Sequence, residues 1–271
     1  MYYSATVNNN YLHHCVGAAL SKTVEGPYTP LPDTLFCPLA QGGAIDASGF
    51  KDWSRKGNWS MPRGGGWHGA SQDHDSDYNR DHGDDGNNDG DHSWTNPAWC
   101  QGGHGGQRYV VYKIDGNSIG HGNLNGTGHC GNTIAPIVPT PLVLQAVGPD
   151  GVTLQGDPVV LLDNNGLPDQ GVVEAPSLVK TQEGRYVLFF SSGCFDGGGY
   201  NVNYAMAEAI AGPYARHGPL LVTGDYGLVA PGGADVLWDA RHMLFHADLP
   251  DVTNRALYTA IIDIEGDAVT I

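Results

Sequence analysis

The sequence is a succession of short strand-like segments, and it shows no sustained helical period. These segments are rich in β-branched and aromatic residues and are bounded by Gly, Asp, Asn or Pro. Examples are residues 109–113, 142–144, 159–162, 186–190 and 243–246. The 40 Gly and 17 Pro residues fit many tight turns, because Gly tolerates positive φ and Pro fixes φ at turn corners. The sequence therefore predicts an all-β protein.

Two internal repeats predict how the strands are grouped. Residues 19–28 recur as residues 205–214, and each copy ends in Gly-Pro-Tyr. A second pattern starts with Ala-Pro, continues through a turn and ends in a strand closed by Ser or His. It begins at Ala175 and again at Ala230. Its spacing suits a four-stranded propeller blade, although repeats this degenerate are also compatible with one β-sandwich.

Residues 53–105 interrupt this organisation. The segment is rich in Gly, Asp and His and poor in aliphatic residues, so it cannot bury much apolar surface. Without it, Asp52 joins Gly106 in a natural turn between two strand-like segments. We therefore interpret residues 1–271 as one domain with a low-complexity insertion at 53–105.

The insertion contains a partial calcium motif. Asp85, Asn87, Asp89 and Gly90 match the first half of an EF-hand loop. Asn96 stands where that loop needs a bidentate Glu, and no flanking helices are evident. A solvated acidic loop is therefore favoured over a calcium site. Loose capture of a transition metal by the histidines of the segment is a weaker hypothesis: His68, His74, His82 and His92.

The charge balance limits the partners of the chain. A formal net charge of −16, with His neutral, repels phosphate backbones and argues against nucleic acid. No apolar run approaches the roughly 18 residues of a membrane helix, so no membrane partner is expected. The first six residues alternate like a strand, and no signal peptide is evident.

The five Cys residues show no Cys-x-x-Cys spacing, which makes a zinc site improbable. We favour two disulfides, Cys15–Cys37 and Cys130–Cys194, with Cys100 left over. Buried free thiols are the alternative, because nothing in the sequence fixes the redox compartment.

Two acidic residues stand alone in apolar or Gly-rich surroundings. Glu174 lies within the run 172–178, and Asp46 follows Ile45 in a Gly-rich segment. Burial raises the pKa of a carboxyl and keeps it protonated, as a general acid at a glycosidic oxygen requires. From this context alone, a carboxylate that caps a turn is the more common role for either residue.

The motifs around these acids resemble those of glycoside hydrolase family 43. The segment around Asp46 is similar to the family motif around its second conserved Asp, and the segment around Glu174 is similar to its general-acid motif. The resemblance covers the chain except residues 53–105 and is greatest for fungal secreted members. The matching segments are 2–5, 14–19, 25–28, 43–52, 173–180, 186–193, 230–235 and 255–258.

The resemblance implies a five-bladed β-propeller whose members hydrolyse arabinose- or xylose-containing polysaccharides with inversion. It implies that Glu174 is the general acid and that Asp46 orients Glu174 and modulates its pKa. Arg255 matches a basic residue that contacts substrate. His246 would line the central funnel or serve a purely structural role. Residues 232–234 offer no His at the family's central cation position, so calcium is doubtful and no metal or other cofactor is expected.

One departure from the family affects the expected activity. The family's general base is an Asp in its first blade, whereas this chain begins in the segment that resembles the second blade. We therefore expect about four blades, no general base and weak turnover. The expected protein is a secreted, monomeric α-L-arabinofuranosidase, arabinanase or β-xylosidase type that acts on arabinan, arabinoxylan or related oligosaccharides. The alternatives are a non-catalytic carbohydrate-binding propeller and an incomplete gene product.

Overall fold

The structure, a computed structural model, describes residues 1–7, 10–53, 106–122, 130–249 and 254–271. These residues form strands and connecting turns, which confirms the predicted all-β class. The helical residues of this part of the chain lie in short 3-10 turns: Leu39–Gln41, Gly116–Ile119, Leu167–Asp169 and Asp225–Gly227. No helix in the described ranges is long and apolar enough to cross a membrane.

The described strands form antiparallel sheets in chain order. The first sheet contains β1 (Tyr2–Val7), β2 (Asn10–Leu20) and β3 (Thr29–Pro30). The second contains β4 (Ala44–Lys51), β5 (Arg108–Ile114), β6 (Leu142–Val147) and β7 (Leu154–Leu162). The third contains β8 (Val173–Lys180), β9 (Tyr186–Ser192), β10 (Asn201–Ala207) and β11 (Ala215–Leu221). The fourth contains β12 (Val229–Val236), β13 (His242–Asp248) and β14 (Arg255–Ile261), followed by the pair β15 (Asp263–Glu265) and β16 (Ala268–Thr270).

Each of the first four sheets is a meander in which strands that follow one another in sequence are hydrogen-bonded neighbours. This is the topology of propeller blades. The opening strands of the second, third and fourth sheets contact one another, β4 with β8 and β8 with β12, and are therefore the inner strands.

The hydrophobic core lies between adjacent sheets. Strand β9 shows why, because its successive side chains point to opposite faces. Leu188 and Phe190 belong to the cluster shared with the second sheet, whereas Val187 and Phe189 belong to the cluster shared with the fourth sheet. A strand buried on both faces reads as a continuous apolar run, which is how the sequence presents it.

The longer sequence repeat has one local structure in both copies. It ends β2 and β10 and leads into β3 and β11. Gly26 and Gly212 have φ values of 92° and 84°. The hydroxyls of Tyr28 and Tyr214 donate to the carbonyls four residues earlier, at 3.0 and 3.1 Å. The first sheet therefore matches the outer part of the third sheet.

Both expected disulfides are present, which confirms them. Cys15–Cys37 joins β2 to the loop that follows the first sheet. Cys130–Cys194 joins the segment before β6 to the loop after β9. Cys100 lies outside the described residues.

The β4–β5 hairpin is paired up to the point where the insertion begins. Lys51 stands opposite Arg108, and the Asp52 N–H donates to the Gln107 carbonyl at 2.9 Å. The chain divides into Met1–Asp52 with Gly106–Ile271 and a second unit, Trp53–Gly105. Apart from Trp53, the predicted insertion with its partial EF-hand motif and its histidines lies outside the described residues, and its role stays a prediction.

Candidate active site

The three inner strands share one irregularity near their starts. Each of β4, β8 and β12 shifts register against the following strand. Each also places a non-glycine residue at positive φ in the shifted segment, with φ values of 57° for Asp46, 51° for Ala175 and 50° for Ala230. Such backbone conformations cost on the order of 1–3 kcal/mol and concentrate at functional sites. A bulge of this kind redirects the side chains beside it.

The bulges of β4 and β8 meet. The Asp46 carboxylate accepts a hydrogen bond from the Ala175 N–H, with 2.9 Å between Oδ2 and N. Ala175 directly follows Glu174, so a carboxylate from one sheet is anchored beside a carboxylate of the next. The structure therefore brings together the two acids that the sequence singles out.

A buried lysine joins this pair. Lys113 lies near the end of β5, and only 1% of its side chain is exposed. Its Nζ is 2.9 Å from Glu174 Oε2 and 3.1 Å from Asp115 Oδ1. Burial alone would lower the pKa of Lys113, but the negative charges of Glu174 and Asp115 raise it above its ordinary value. Lys113 is therefore a permanent cation in the site.

A buried tyrosine holds the other oxygen of Glu174. The Tyr200 hydroxyl donates to Glu174 Oε1 at 2.8 Å, and Tyr200 is 2% exposed. Burial, and after it the charge of Glu174, raises the pKa of Tyr200 well above its ordinary value. The phenol therefore stays neutral and donates. Glu174 thus has one donor on each carboxylate oxygen.

The Asp46 carboxyl keeps a proton unusually well. Burial and the nearby charge of Glu174 raise the pKa of Asp46 to about 6, against the opposing effects of Lys113 and the Ala175 amide. Asp46 therefore holds its proton as one member of an interacting pair of carboxyls. This pair can hold one proton at mildly acidic pH, which is what acid catalysis at a glycosidic oxygen requires.

Arg255 and His246 lie on adjacent strands of the fourth sheet. The Arg255 Nε donates to His246 Nδ1 at 2.5 Å. Because Nδ1 accepts, the single N–H hydrogen of the neutral His246 ring belongs on Nε2. Burial and the charge of Arg255 lower the pKa of His246, so its imidazole is neutral at pH 7. The His246 ring stacks on Tyr200 with 6.1 Å between ring centres, which connects this pair to Glu174.

The remaining donors of Arg255 contact protein atoms. Nη1 donates to Asp248 Oδ1 at 2.7 Å and to the Phe195 carbonyl at 2.8 Å. Nη2 donates to the carbonyl of Ala230, the positive-φ residue of β12. Arg255 therefore supports the third bulge and the loop after β9. The substrate contact that the resemblance implies for Arg255 stays a prediction.

The loop after β9 presents Tyr200 and is fixed at several points. The Cys130–Cys194 disulfide holds its start, and the Cys194 N–H donates to Gln170 Oε1 at 3.0 Å. Among the described residues, Cys130, Cys194 and Asp196 form a cluster with metal-ligand atoms within reach. Both sulfurs are in the disulfide, so the cluster offers no thiolate to a metal.

Sequence reasoning missed Lys113, Asp115 and Tyr200. A signal existed for Lys113, because it is a lone charge within the apolar strand 109–114 and so has the same context as Glu174. Tyr200 follows three consecutive glycines and has no comparable signal.

Several solved structures share this fold. The structure is similar to a thermostable family-43 glycoside hydrolase, with a TM-score of 0.65 and 21% identity over 100% of this chain and 69% of the other. An endo-1,4-β-xylanase from Bacteroides thetaiotaomicron gives a TM-score of 0.56 and 18% identity over 99% of this chain and 69% of the other. An endo-arabinase from the same organism gives a TM-score of 0.55 and 14% identity over 97% of this chain and 70% of the other.

The chain has the fold of family-43 glycoside hydrolases. No protein-family model matches the sequence, and no curated protein matches it. At identities this low, the likeness establishes the fold, which confirms the propeller class that the repeats and the family resemblance predict.

Proposed function

We propose that this chain is a glycoside hydrolase module in which Glu174 is the general acid and Asp46 orients Glu174 and modulates its pKa. The observation that carries the proposal is the bond from the Ala175 N–H to Asp46, which couples carboxylates of two inner strands. The solved structures of the same fold include an endo-1,4-β-xylanase and an endo-arabinase, which supports arabinan, arabinoxylan and xylan as substrates.

The proposed reaction is inverting hydrolysis of the α-L-arabinofuranosidase or arabinanase type. Glu174 transfers the proton held by the pair to the leaving glycosidic oxygen, and the leaving sugar departs as an alcohol. Water attacks the anomeric carbon from the opposite face and loses its proton to a general base about 6.5–9.5 Å from the acid. We assign that base to none of the residues around Glu174, since the resemblance places it on a further blade. Without a residue in that role, turnover is expected to be slow.

The proposal is tested with aryl arabinofuranosides and aryl xylosides as well as with arabinan, arabinoxylan and xylan. Wild type should release product, and Glu174→Gln should be slower by about 10²–10⁴-fold, the usual contribution of acid catalysis. Glu208→Gln, at an exposed turn, is the matched control and should keep the wild-type rate. Equal rates for wild type and Glu174→Gln would reject the enzymatic role.

Azide separates a missing base from a missing acid. It is already an anion, so it attacks the anomeric carbon without a base, while Glu174 still protonates the leaving oxygen. Azide should accelerate wild type and yield a glycosyl azide of inverted configuration, and it should not rescue Glu174→Gln on substrates with poor leaving groups. Rescue of both proteins to the same extent would show that Glu174 is not the acid.

A binding function is the second candidate, because both oxygens of Glu174 are already occupied by Lys113 and Tyr200. Calorimetry with arabino-oligosaccharides tests it. Heat of binding without turnover, in wild type and Glu174→Gln alike, would favour the binding function. Neither heat nor turnover would reject both candidates.

We also propose that the protein is secreted and monomeric. The two disulfides support an oxidising compartment, because such bonds persist there and are rare in the cytosol. Thiol trapping of protein from its natural source should leave Cys15, Cys37, Cys130 and Cys194 unlabelled. Labelling of these four residues would contradict secretion, and a dimeric mass in solution would contradict the monomer.

A further inference from the structure

Lys113 is the most deeply buried charged side chain of the described residues, and acid catalysis as proposed above assigns it no part. It lies on β5, next to the inner strand β4 that carries Asp46, and it reaches across to Glu174 on β8. Its second contact is Asp115, in the segment that leaves β5. A buried ammonium at this position has a direct electrostatic effect on both carboxylates of the pair.

The groups around the pair come from all four sheets, and the first sheet contributes the Ser4 hydroxyl, which accepts from the Asp46 N–H at 3.3 Å. Lys113 on β5 and Asp115, directly after β5, act on Asp46, which lies on β4 of the same sheet. Tyr200, a neutral donor, faces Glu174 from the loop before β10. From the fourth sheet, His246 is within electrostatic range of Glu174, and it is neutral beside Arg255. Lys113 is therefore the cation in direct contact with the pair among the described residues.

Lys113 and Asp115 act on the pair with opposite signs. The ammonium at 2.9 Å from Glu174 Oε2 stabilises the fully ionised pair. Asp115 weakens this stabilisation of the ionised pair, because its carboxylate binds the same ammonium at 3.1 Å. It also adds a further negative charge near Asp46. The balance between these two residues decides how strongly the pair retains its last proton.

We propose that Lys113 and Asp115 are positioning residues for the Glu174–Asp46 pair, Lys113 promoting release of the shared proton and Asp115 promoting its retention. Together they set the pH below which the pair can act as an acid. The catalytic meaning of this inference rests on the proposed function, whereas the effect on the proton of the pair does not.

The inference is tested by titration of the site carboxyls. The protein is labelled with ¹³C at the side-chain carboxyls of Asp and Glu, and NMR signals are followed from pH 3 to pH 9. Spectra of Asp46→Asn and Glu174→Gln identify the two resonances. Lys113→Met should move the last midpoint of the pair upward by about 1 pH unit or more, because an opposite charge this close shifts a carboxyl by roughly that amount. Asp115→Asn should move the same midpoint downward.

Lys180→Met is the matched control. Its ammonium also forms an ion pair, at 2.7 Å from Asp52, but it lies at the far end of β8 from Glu174. It should leave the midpoint of the pair unchanged. A structural role for Lys113 and Asp115 would not give shifts of opposite sign. An unmoved midpoint in Lys113→Met, or movement of both variants in one direction, would overturn the inference.

Folding of each variant is checked by near-ultraviolet circular dichroism. If Lys113→Met does not fold, Asp115→Asn decides alone, and the absence of a downward shift overturns the inference. If the chain hydrolyses aryl glycosides, the alkaline limb of kcat/KM should move in the same directions as the midpoint. Opposed shifts without any hydrolysis would leave the inference standing and reject the proposed enzymatic function. Hydrolysis without these shifts would overturn the inference and leave the proposed enzymatic function standing.

Discussion

The inner strands β8 and β12 start with nearly the same backbone and differ in chemistry. Both carry Ala-Pro, both place the alanine at a φ near 50°, and both shift register at that point. In β8 the residue before the alanine is Glu174, and the alanine N–H donates to a carboxylate. In β12 the preceding residue is Val229, and the Ala230 N–H donates to the Thr223 hydroxyl at 2.9 Å.

The difference shows which part of the site belongs to the fold and which part belongs to side chains. The bulge recurs from blade to blade, so the direction in which the first residues of each inner strand point is a property of the fold. The charge at that start depends on one residue before the alanine and on the group that accepts from its amide. In β12 the charged partner is Arg255, which donates to the carbonyl of Ala230. The predictions below test this division, from the largest expected effect to the smallest.

Glu174→Val, which gives β8 the residue found in β12, should have the largest effect on stability. It leaves Lys113 buried with Asp115 as its remaining partner. Loss of one partner from a buried ion pair costs about 3–5 kcal/mol, and we expect about 2–3 kcal/mol here because Asp115 stays. Urea unfolding measures this change. Glu174→Gln keeps the side-chain shape and should lose less; wild-type stability for Glu174→Val would show that Lys113 does not need Glu174.

Arg255→Met removes the support of the β12 bulge. It takes donors from the carbonyls of Ala230 and Phe195 and breaks the pair with Asp248. Hydrogen bonds from charged groups are worth about 1.5–3 kcal/mol, so we expect a loss of about 2 kcal/mol. The control is Arg241→Met, whose ion pair with Asp263 is exposed and is expected to contribute less than about 1 kcal/mol. Equal losses of stability for Arg255→Met and Arg241→Met in thermal unfolding would show that Arg255 contributes no more than an exposed ion pair does.

Asp46→Asn should change how stability depends on pH. The pKa of Asp46 is raised from 3.8 to about 6 by burial and by Glu174, so the folded protein binds this proton more tightly than the unfolded chain does. The stability that this proton gives the folded protein is fully present below about pH 4 and is lost as the pH rises through about 6. The free energy of unfolding of Asp46→Asn, measured with urea, should therefore rise relative to that of wild type between pH 4 and pH 7. Parallel pH curves for the two proteins would contradict this.

Asp150 provides a control of opposite sign. The Thr153 hydroxyl and nearby backbone amides lower the pKa of this exposed carboxyl to about 2. Its contribution is present above about pH 4 and is lost as the pH falls through about 2. Asp150→Asn should therefore change the acid end of the curve and leave the range from pH 4 to pH 7 as in wild type.

Ala175→Gly and Ala230→Gly should have the smallest and most similar effects. Glycine removes the penalty for a left-handed conformation, about 1–2 kcal/mol, but gives the unfolded chain about 0.4–1 kcal/mol of extra entropy. Each variant should thus be unchanged or more stable by up to about 1 kcal/mol in thermal unfolding. Ala207→Gly, in β10 at ordinary φ, should be destabilised. Changes of opposite sign at positions 175 and 230 would show that the two bulges are not equivalent.

Much of the fold could be predicted from the sequence because local rules produce it. Strand β9 is apolar throughout because both of its faces are buried, and the Gly-Pro-Tyr turns recur because their contacts are local. The two disulfides that the sequence analysis favours, Cys15–Cys37 and Cys130–Cys194, are both present. Glu174 and Asp46 could be singled out because a lone acid in an apolar segment is rare.

The rest of the site depends on contacts between sheets, which the sequence does not display. Period-2 alternation places Lys113 on one face of β5, but only the packing of β8 shows that this face meets Glu174. Tyr200 is directed by a disulfide and by Arg255, which are distant in sequence. The positive φ of Asp46 and Ala175 recurs at Ala230 and so belongs to the inner-strand bulges of the fold, since neither Asp nor Ala favours that conformation strongly enough alone.

The hydrogen bond between Asp52 and Gln107 makes the tip of the β4–β5 hairpin an attachment point. Whatever chain lies between these residues, its two ends are held one hydrogen bond apart by the hairpin itself. The entropy cost of closing such a loop grows only slowly with its length, by about 0.6 kcal/mol for each doubling. A protein engineer could therefore use this hairpin as a graft site, exchanging the intervening chain for a fluorescent reporter or an affinity module.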